Sequence, residues 1–238
     1  MFALGLLSRS AGFVIKYSWP LLAAAVVYIP LQFALEEASY FFYEINKTSG
    51  NIFLLALPLL LLINALLDLF YQALIYSLAW SKLHEAPLTF KSFRDWLALS
   101  FFTFYAYILI YYLVFISGWA MLMLPMLAFM IAFPFLDIVI LFEHKPLGES
   151  MRRNFALLFA MPVPAVALSL VRFVLAGWIP LVVYLSGSLK PYLDLYGNLL
   201  VLLILPVDVS FLVLYSYLTR KKTPKSFTGV PFEDIDKK

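Results

Sequence analysis

Hydrophobic and polar positions in this chain alternate in long blocks, not residue by residue. Positions 17–35 and 96–136 carry no charge, while 51–81, 154–189 and 195–219 carry one each: Asp68, Arg172 and Asp208. An apolar run of 18 residues or more predicts a helix that crosses a bilayer, which takes about 20 residues for ~30 Å of hydrocarbon. The 96–136 run is twice too long for one crossing, and Ser117-Gly118 near its middle predicts a tight turn. The pattern therefore predicts an all-α integral membrane protein with spans near 17–40, 50–81, 96–117, 119–143, 155–186 and 195–220. Residues 1–222 are expected to form a single six-helix transmembrane domain, with 223–238 a short tail. Arg9 and Lys16 interrupt the first segment, and Ala23-Ala24-Ala25 falls inside the apolar run, so this segment is expected to be retained and not cleaved as a signal peptide.

Composition agrees with lipid as the solvent. Hydrophobic residues make up 64% of the 238 positions and charged residues 13%, about half the charge of an ordinary soluble domain. There are no cysteines, which excludes disulfides, thiolate metal sites and a cysteine nucleophile. Two histidines, His84 and His144, are too few for a metal cage without carboxylates. No cofactor and no nucleic-acid partner are implied.

The distribution of positive charge sets the orientation. Arg9, Lys16, Lys82, Lys91, Arg94, Lys145, Arg152, Arg153, Arg220, Lys221, Lys222, Lys225, Lys237 and Lys238 fall on one side of the six spans, and Lys47 and Lys190 on the other. The rich side is predicted to be cytoplasmic, with both termini on it. A weak repeat accompanies this alternation. Odd spans begin with a basic residue before an aromatic: Lys16 before Trp19, Arg94 before Trp96, Arg153 before Phe155. Even spans begin with glycine, then proline within two turns: Gly50-Asn51 with Pro58, Gly118-Trp119 with Pro125, Gly197-Asn198 with Pro206. The expectation is three tandem hairpins. The alternation of Leu88, Phe90 and Phe93 with Lys91, Arg94 and Asp95 predicts a short amphipathic helix in the cytoplasmic headgroup layer. Leu147, Met151 and Phe155 beside Glu149, Arg152 and Arg153 predict a second, and 2–14 reads as a third copy.

The segment 142–158, FEHKPLGESMRRNFALL, carries a resemblance. A proline-led basic stretch with Arg152-Arg153 ahead of an aromatic and a long apolar helix resembles the membrane-domain family of bacterial glycerophosphoryl diester phosphodiesterases and its stand-alone YciC-like relatives. A second copy at 87–96 and the six-helix plan are similar too. The chain departs from that family's Ala-Leu-Arg-Arg-Ser-Trp type of run, having Ser150-Met151-Arg152-Arg153-Asn154-Phe155. The resemblance implies a bacterial cytoplasmic (inner) membrane and a lipid- or envelope-related role. It carries over no catalytic residue, because the phosphodiesterase chemistry belongs to a separate soluble domain.

Polar residues inside the spans are the candidate functional positions, since ionisable groups in lipid are costly and face protein or water. Asn64, Asp68 and Gln72 recur every four residues and so share one face of a helix. That stripe reads either as a solute or proton pathway or as interhelical hydrogen bonding. Arg172 lies 17 residues after Phe155, and Glu36 lies 17 after Trp19. Both are then expected roughly 25 Å from the cytoplasmic interface, where Arg172 would pair with Glu36 or Glu37 or snorkel outward. Asp208 and Asp68 are expected near mid-membrane as a repeat-related pair. Asp137, about two turns from the cytoplasmic end, is expected to reach headgroups or Arg152. Nucleophile-elbow, P-loop and zinc-protease motifs are not found. The sequence therefore predicts a non-enzymatic polytopic membrane protein that binds membrane lipid or supports envelope proteins. A small-solute transporter or channel subunit using Asp68, Asp208 and Arg172 is the alternative, and a membrane-embedded hydrolase the third. A membrane-protein partner or a second copy of the chain is left open.

Overall fold

The computed structural model describes residues 2–49, 52–186 and 193–219. Among them every regular element is helical. In order these are α1 (Phe2–Lys16), α2 (Ser18–Ser49), α3 (Ile52–Leu83), α4 (Phe90–Ala120), α5 (Leu124–Ala132), α6 (Leu136–Glu143), α7 (Leu147–Ala160), α8 (Pro162–Phe173), a π-helical segment (Val174–Trp178), α9 (Ile179–Ser186) and α10 (Leu193–Thr219). Four stretches are long and apolar enough to cross a bilayer: Pro58–Leu83, Phe90–Gly118, Pro162–Val183 and Leu202–Thr219. Two bent pairs, Ser8–Lys16 with Trp19–Leu35 at 82° and Leu124–Ala132 with Leu136–Glu143 at 44°, make the number six where each counts as one span.

The basic ends of the elements gather at one end of the bundle. Trp80 of α3 meets Phe142 of α6 at 4.6 Å, and Trp96 of α4 meets the same ring at 5.2 Å. Tyr215 of α10 joins them. The Lys16 and Lys82 ammonium groups both approach the Tyr17 ring. Residues that alternate in direction along the sequence are thus brought to one level, as the charge pattern requires. α1 packs on α10 and α8 at this end and turns sharply into α2. Two of the stretches expected to be amphipathic helices, 2–14 and that around Leu147, are helical, as α1 and α7.

The interfacial helix expected around Leu88, Phe90 and Phe93, in 83–96, is not a separate element. Thr89 caps α4 with a reciprocal box through Ser92, so the helix starts at Phe90 and nothing interrupts it before the span. Phe90 itself is 82% exposed, while Phe93 packs on the core. α7, in contrast, ends at Ala160 with Met161 as its cap, because Pro162 and Pro164 follow, and α8 starts afresh.

The turn expected at Ser117-Gly118 falls three residues later. α4 runs to Ala120, and Leu122 and Met123 take left-handed backbone, φ 50° and 63°. Gly118 matters for proximity: a Cβ there would meet Met123 Sδ at 3.2 Å and Met126 Cβ at 3.5 Å. The glycines of the expected repeat are therefore not equivalent. Gly118 lies in the last turns of α4, Gly197 lies inside α10, and Gly50 is outside the described residues. The Arg220-Lys221-Lys222 cluster and the 223–238 tail also lie outside them.

The core centres on α6. Every residue from Leu136 through Phe142 is buried, as befits a helix surrounded by other helices. α3, α4, α7, α8 and α10 contribute the rest of the main cluster. The outward faces are apolar and exposed, with Trp19, Phe102 and Val163 among them, as lipid-facing surfaces are.

Candidate functional site

The site begins with a broken helix. Pro134 removes a backbone donor and separates α5 from α6, leaving buried peptide groups that lipid cannot satisfy. Asn154 of α7 closes the gap. Its Oδ1 accepts from the Phe135 N–H at 2.9 Å, and its Nδ2 donates to the Ala132 carbonyl at 2.8 Å. Ser169 of α8 donates to the Met130 carbonyl at 2.9 Å. The break is thus a fixed feature, and it places Asp137 in the first turn of α6, 1% exposed.

Asp137 does not reach headgroups or Arg152, as expected from its position in the sequence. The 44° bend turns it into the bundle, where Tyr76 of α3 donates to its Oδ2 at 2.7 Å. Arg172 of α8 approaches the same oxygen with Nη1 at 3.6 Å, and approaches Asp208 Oδ1 of α10 with Nη2 at 3.3 Å. Both separations exceed the roughly 2.7–2.9 Å of a charge-assisted hydrogen bond. Arg172 Nε and Asp208 Oδ1 have no hydrogen-bond partner among the described residues. The guanidinium therefore holds two carboxylates by charge, loosely, in the middle of the bundle.

The partner expected for Arg172 was Glu36 or Glu37. Among the described residues its ion pairs are instead with Asp208 and Asp137. Glu37 is exposed, and the Glu36 side chain lies outside what is described. The reason is the bend at Met161-Pro162. Depth counted from Phe155 overestimates the height of Arg172, because the crossing starts at Pro162. Ten residues of helix, about 15 Å of rise, separate Arg172 from Pro162.

Asp68 forms a second polar group farther from the basic end. Tyr28 of α2 donates to Oδ1 and Tyr112 of α4 donates to Oδ2. The stripe of α3 is thus interhelical hydrogen bonding at Asp68, but not throughout. Asn64 Oδ1 and Gln72 Oε1 are buried without a hydrogen-bond partner, and so are Gln32 Oε1 of α2 and the Tyr71 hydroxyl. Continued by one step of four, the stripe Asn64, Asp68, Gln72 reaches Tyr76. It then covers about 18 Å of helix and links the Asp68 group to the Asp137–Arg172–Asp208 group. Tyr76 was legible from that spacing. Tyr28, Tyr112 and Asn154 carry no comparable signal, since their partners lie on other elements.

At the basic end the resembling segment has a structural role. Arg153 Nε donates to Glu143 Oε1 at 2.8 Å, Lys145 lies 3.4 Å from Glu143 Oε2, and the Tyr215 hydroxyl donates to Glu143 at 3.3 Å. Ser150 Oγ donates to the Lys145 carbonyl at 3.1 Å. With Asn154 on the next turn, this segment ties α6, α7 and α10 together. Beside it His144 closes α6 in left-handed backbone, φ 51°. Burial pushes its imidazole down to about 4.

Among the described residues no group of three histidine or carboxylate side chains converges as a metal site. The chain is therefore, on the evidence of its own helices, a multi-pass membrane protein with a polar centre, and comparison with known proteins adds no relative: no family model, no curated protein and no solved structure matches it.

Proposed function

We propose that this is a non-enzymatic polytopic protein of the bacterial cytoplasmic membrane, its termini cytoplasmic, that moves a small charged solute across the bilayer as a transporter or channel subunit. Asp68, Asp208 and Arg172 are the groups that serve it, joined by Asp137. The observation that carries this reading is the loose Asp137–Arg172–Asp208 centre beside a broken helix. A purely structural ion pair in lipid gains by closing to short hydrogen bonds, because only good geometry offsets desolvation. Here a guanidinium sits between two carboxylates without closing on either, which suits groups that exchange partners with a passing ion. Discontinuous helices near the midplane are a common setting for such sites.

The test is flux into liposomes. Purified protein in vesicles, under an imposed potential, is assayed with internal dyes for protons, sodium and potassium. Wild-type vesicles are expected to pass at least one probe faster than empty ones, with Asp208→Asn and Arg172→Met abolishing the excess. Wild-type vesicles no leakier than empty ones to every probe would count against transport.

A lipid-binding or envelope-support role is the second reading. It is favoured by α7, whose Leu147 and Met151 pack on the core while Glu149 and Arg152 are exposed, and by the resemblance of that segment to the phosphodiesterase-associated membrane domains. Membrane lipid is the partner in both readings, and in the second it is the ligand.

A further inference from the structure

The Asp68 group contains a feature that hydrogen bonding alone leaves unexplained. α2 and α3 pack against each other along their length, and the Tyr28–Asp68 hydrogen bond fixes their antiparallel register. The Tyr28 ring also stacks on Tyr71 at 4.2 Å, one turn on the other side of Asp68. In that register Gln32, a turn beyond Tyr28, comes level with Asn64, a turn before Asp68. Gln32 Oε1 and Asn64 Oδ1 are both buried and both lack a donor among the described residues. Two amide carbonyls thus lie level with each other, one turn from a buried carboxylate, and each unmade hydrogen bond there is costly. Orphaned groups of this kind mark an unseen water or ion.

Charge separates the two. Tyr28 and Tyr112 give Asp68 neutral donors, and among the described residues no lysine or arginine pairs with it. Water would satisfy the amide oxygens but leave Asp68 to shed its charge by taking up a proton. A cation satisfies the same oxygens and balances the charge.

We propose that Asp68, Asn64 and Gln32, with the phenolic oxygens of Tyr28 and Tyr112, form a binding site for a dehydrated alkali cation. The donor set is all oxygen, the chemistry that hard cations take. It carries one formal negative charge, which matches a monovalent ion. A divalent ion would bring a surplus charge and, for magnesium, a demand for retained waters. Asp68 lies just over two turns of α3 from Tyr76 at the Asp137–Arg172–Asp208 centre, so ion binding at the first is measured separately from passage of a solute through the second.

The experiment is equilibrium binding to the full chain in detergent, read as the melting temperature. Sodium, potassium and lithium chloride are each titrated against choline chloride at constant ionic strength. A ligand that binds only the folded state raises the midpoint saturably. Wild type is expected to respond to at least one of the three ions. Asp68→Asn, and separately Gln32→Leu with Asn64→Leu, are expected to raise the half-saturating concentration at least about tenfold. Indifference of the wild type to all three ions overturns the site, as does an unchanged response in both variants or a response to magnesium or calcium alone. If Asp68→Asn does not fold, the amide pair decides, since it removes no charge. Binding is measured without flux, so a chain that binds an alkali cation and moves no solute keeps this site and loses the transport reading.

Discussion

Arg172 faces two carboxylates, so removing the guanidinium and removing either acid are not symmetric changes. Arg172→Met leaves Asp137 and Asp208 together without a counter-charge and is expected to lose about 3–5 kcal/mol, the range for breaking a buried pair. Asp208→Asn or Asp137→Asn leaves the cation one partner and should cost clearly less. Unfolding in detergent, followed for the three single variants and for Arg172→Met with Asp208→Asn, checks the order. Equal losses from all three single changes would mean that the groups do not share charge. Asn154 makes a separate prediction from hydrogen bonding alone. Asn154→Ala strands the Phe135 N–H and the Ala132 carbonyl, each costing about 1–3 kcal/mol when buried and unmade. Asn154→Asp keeps the acceptor but turns a buried carboxyl oxygen toward the Ala132 carbonyl, so it is not expected to rescue stability in the same assay. How far the site could be read from sequence is also decided here. Asn64, Asp68, Gln72, Arg172 and Asp208 announce themselves as polar residues in apolar runs. Their partners do not, because tyrosine is at home in any span of so aromatic a chain, and because a guanidinium's height depends on where its helix begins.

At the scale of elements, hydropathy located the crossings but not their internal breaks. A proline within a long apolar run leaves hydropathy unchanged, so the break at Pro134 and the fresh start at Pro162 do not register. Both are backbone events, and both reposition a charged side chain. The turn between α3 and α4 shows the same local chemistry in a form that can be tested. Ala86 N–H donates to the Ser81 carbonyl at 3.0 Å, and Glu85 stands in left-handed backbone at φ 53°, the place where helices usually end on glycine. A side chain there costs about 1–2 kcal/mol. Glu85 is exposed, so Glu85→Gly is expected to stabilise the protein by about 1 kcal/mol, seen as a higher melting temperature. A lower one would show that the glutamate makes a contact worth more than the strain.

For the whole molecule, the charge pattern makes a prediction that chemistry can check directly, because the chain has no native cysteine. Single cysteines at Lys47 and Lys190 are expected to react with an impermeant thiol reagent in intact cells, and those at Lys91 and Arg153 only after the membrane is opened. Labelling at Arg153 from outside would sink the six-span arrangement with both ends in. Acid stability is a second property of the whole. The His144 imidazole, lowered from 6.5 to about 4 by burial, binds its proton more readily in the unfolded chain. Stability should therefore be full above about pH 6.5 and decline as pH falls toward 4, by on the order of 3 kcal/mol at most. His144→Gln should flatten that part of the profile. If the slope between those values survives the substitution, other groups produce it.

The repair of the α5–α6 break by Asn154 also bears on how the protein is made. Synthesis delivers Pro134 and Asp137 to the membrane before the residues that complete them, Asn154 and Arg172, have left the ribosome. During that interval the broken helix has unmet peptide groups and an unescorted carboxylate, neither of which hydrocarbon tolerates. The helices up to α6 thus do not mature as a finished unit. They wait, shielded by the insertion machinery or short of full entry into lipid, until α7 and α8 arrive. A chain stopped before residue 154 is expected to be degraded, and one extended through α8 to be the shortest that survives.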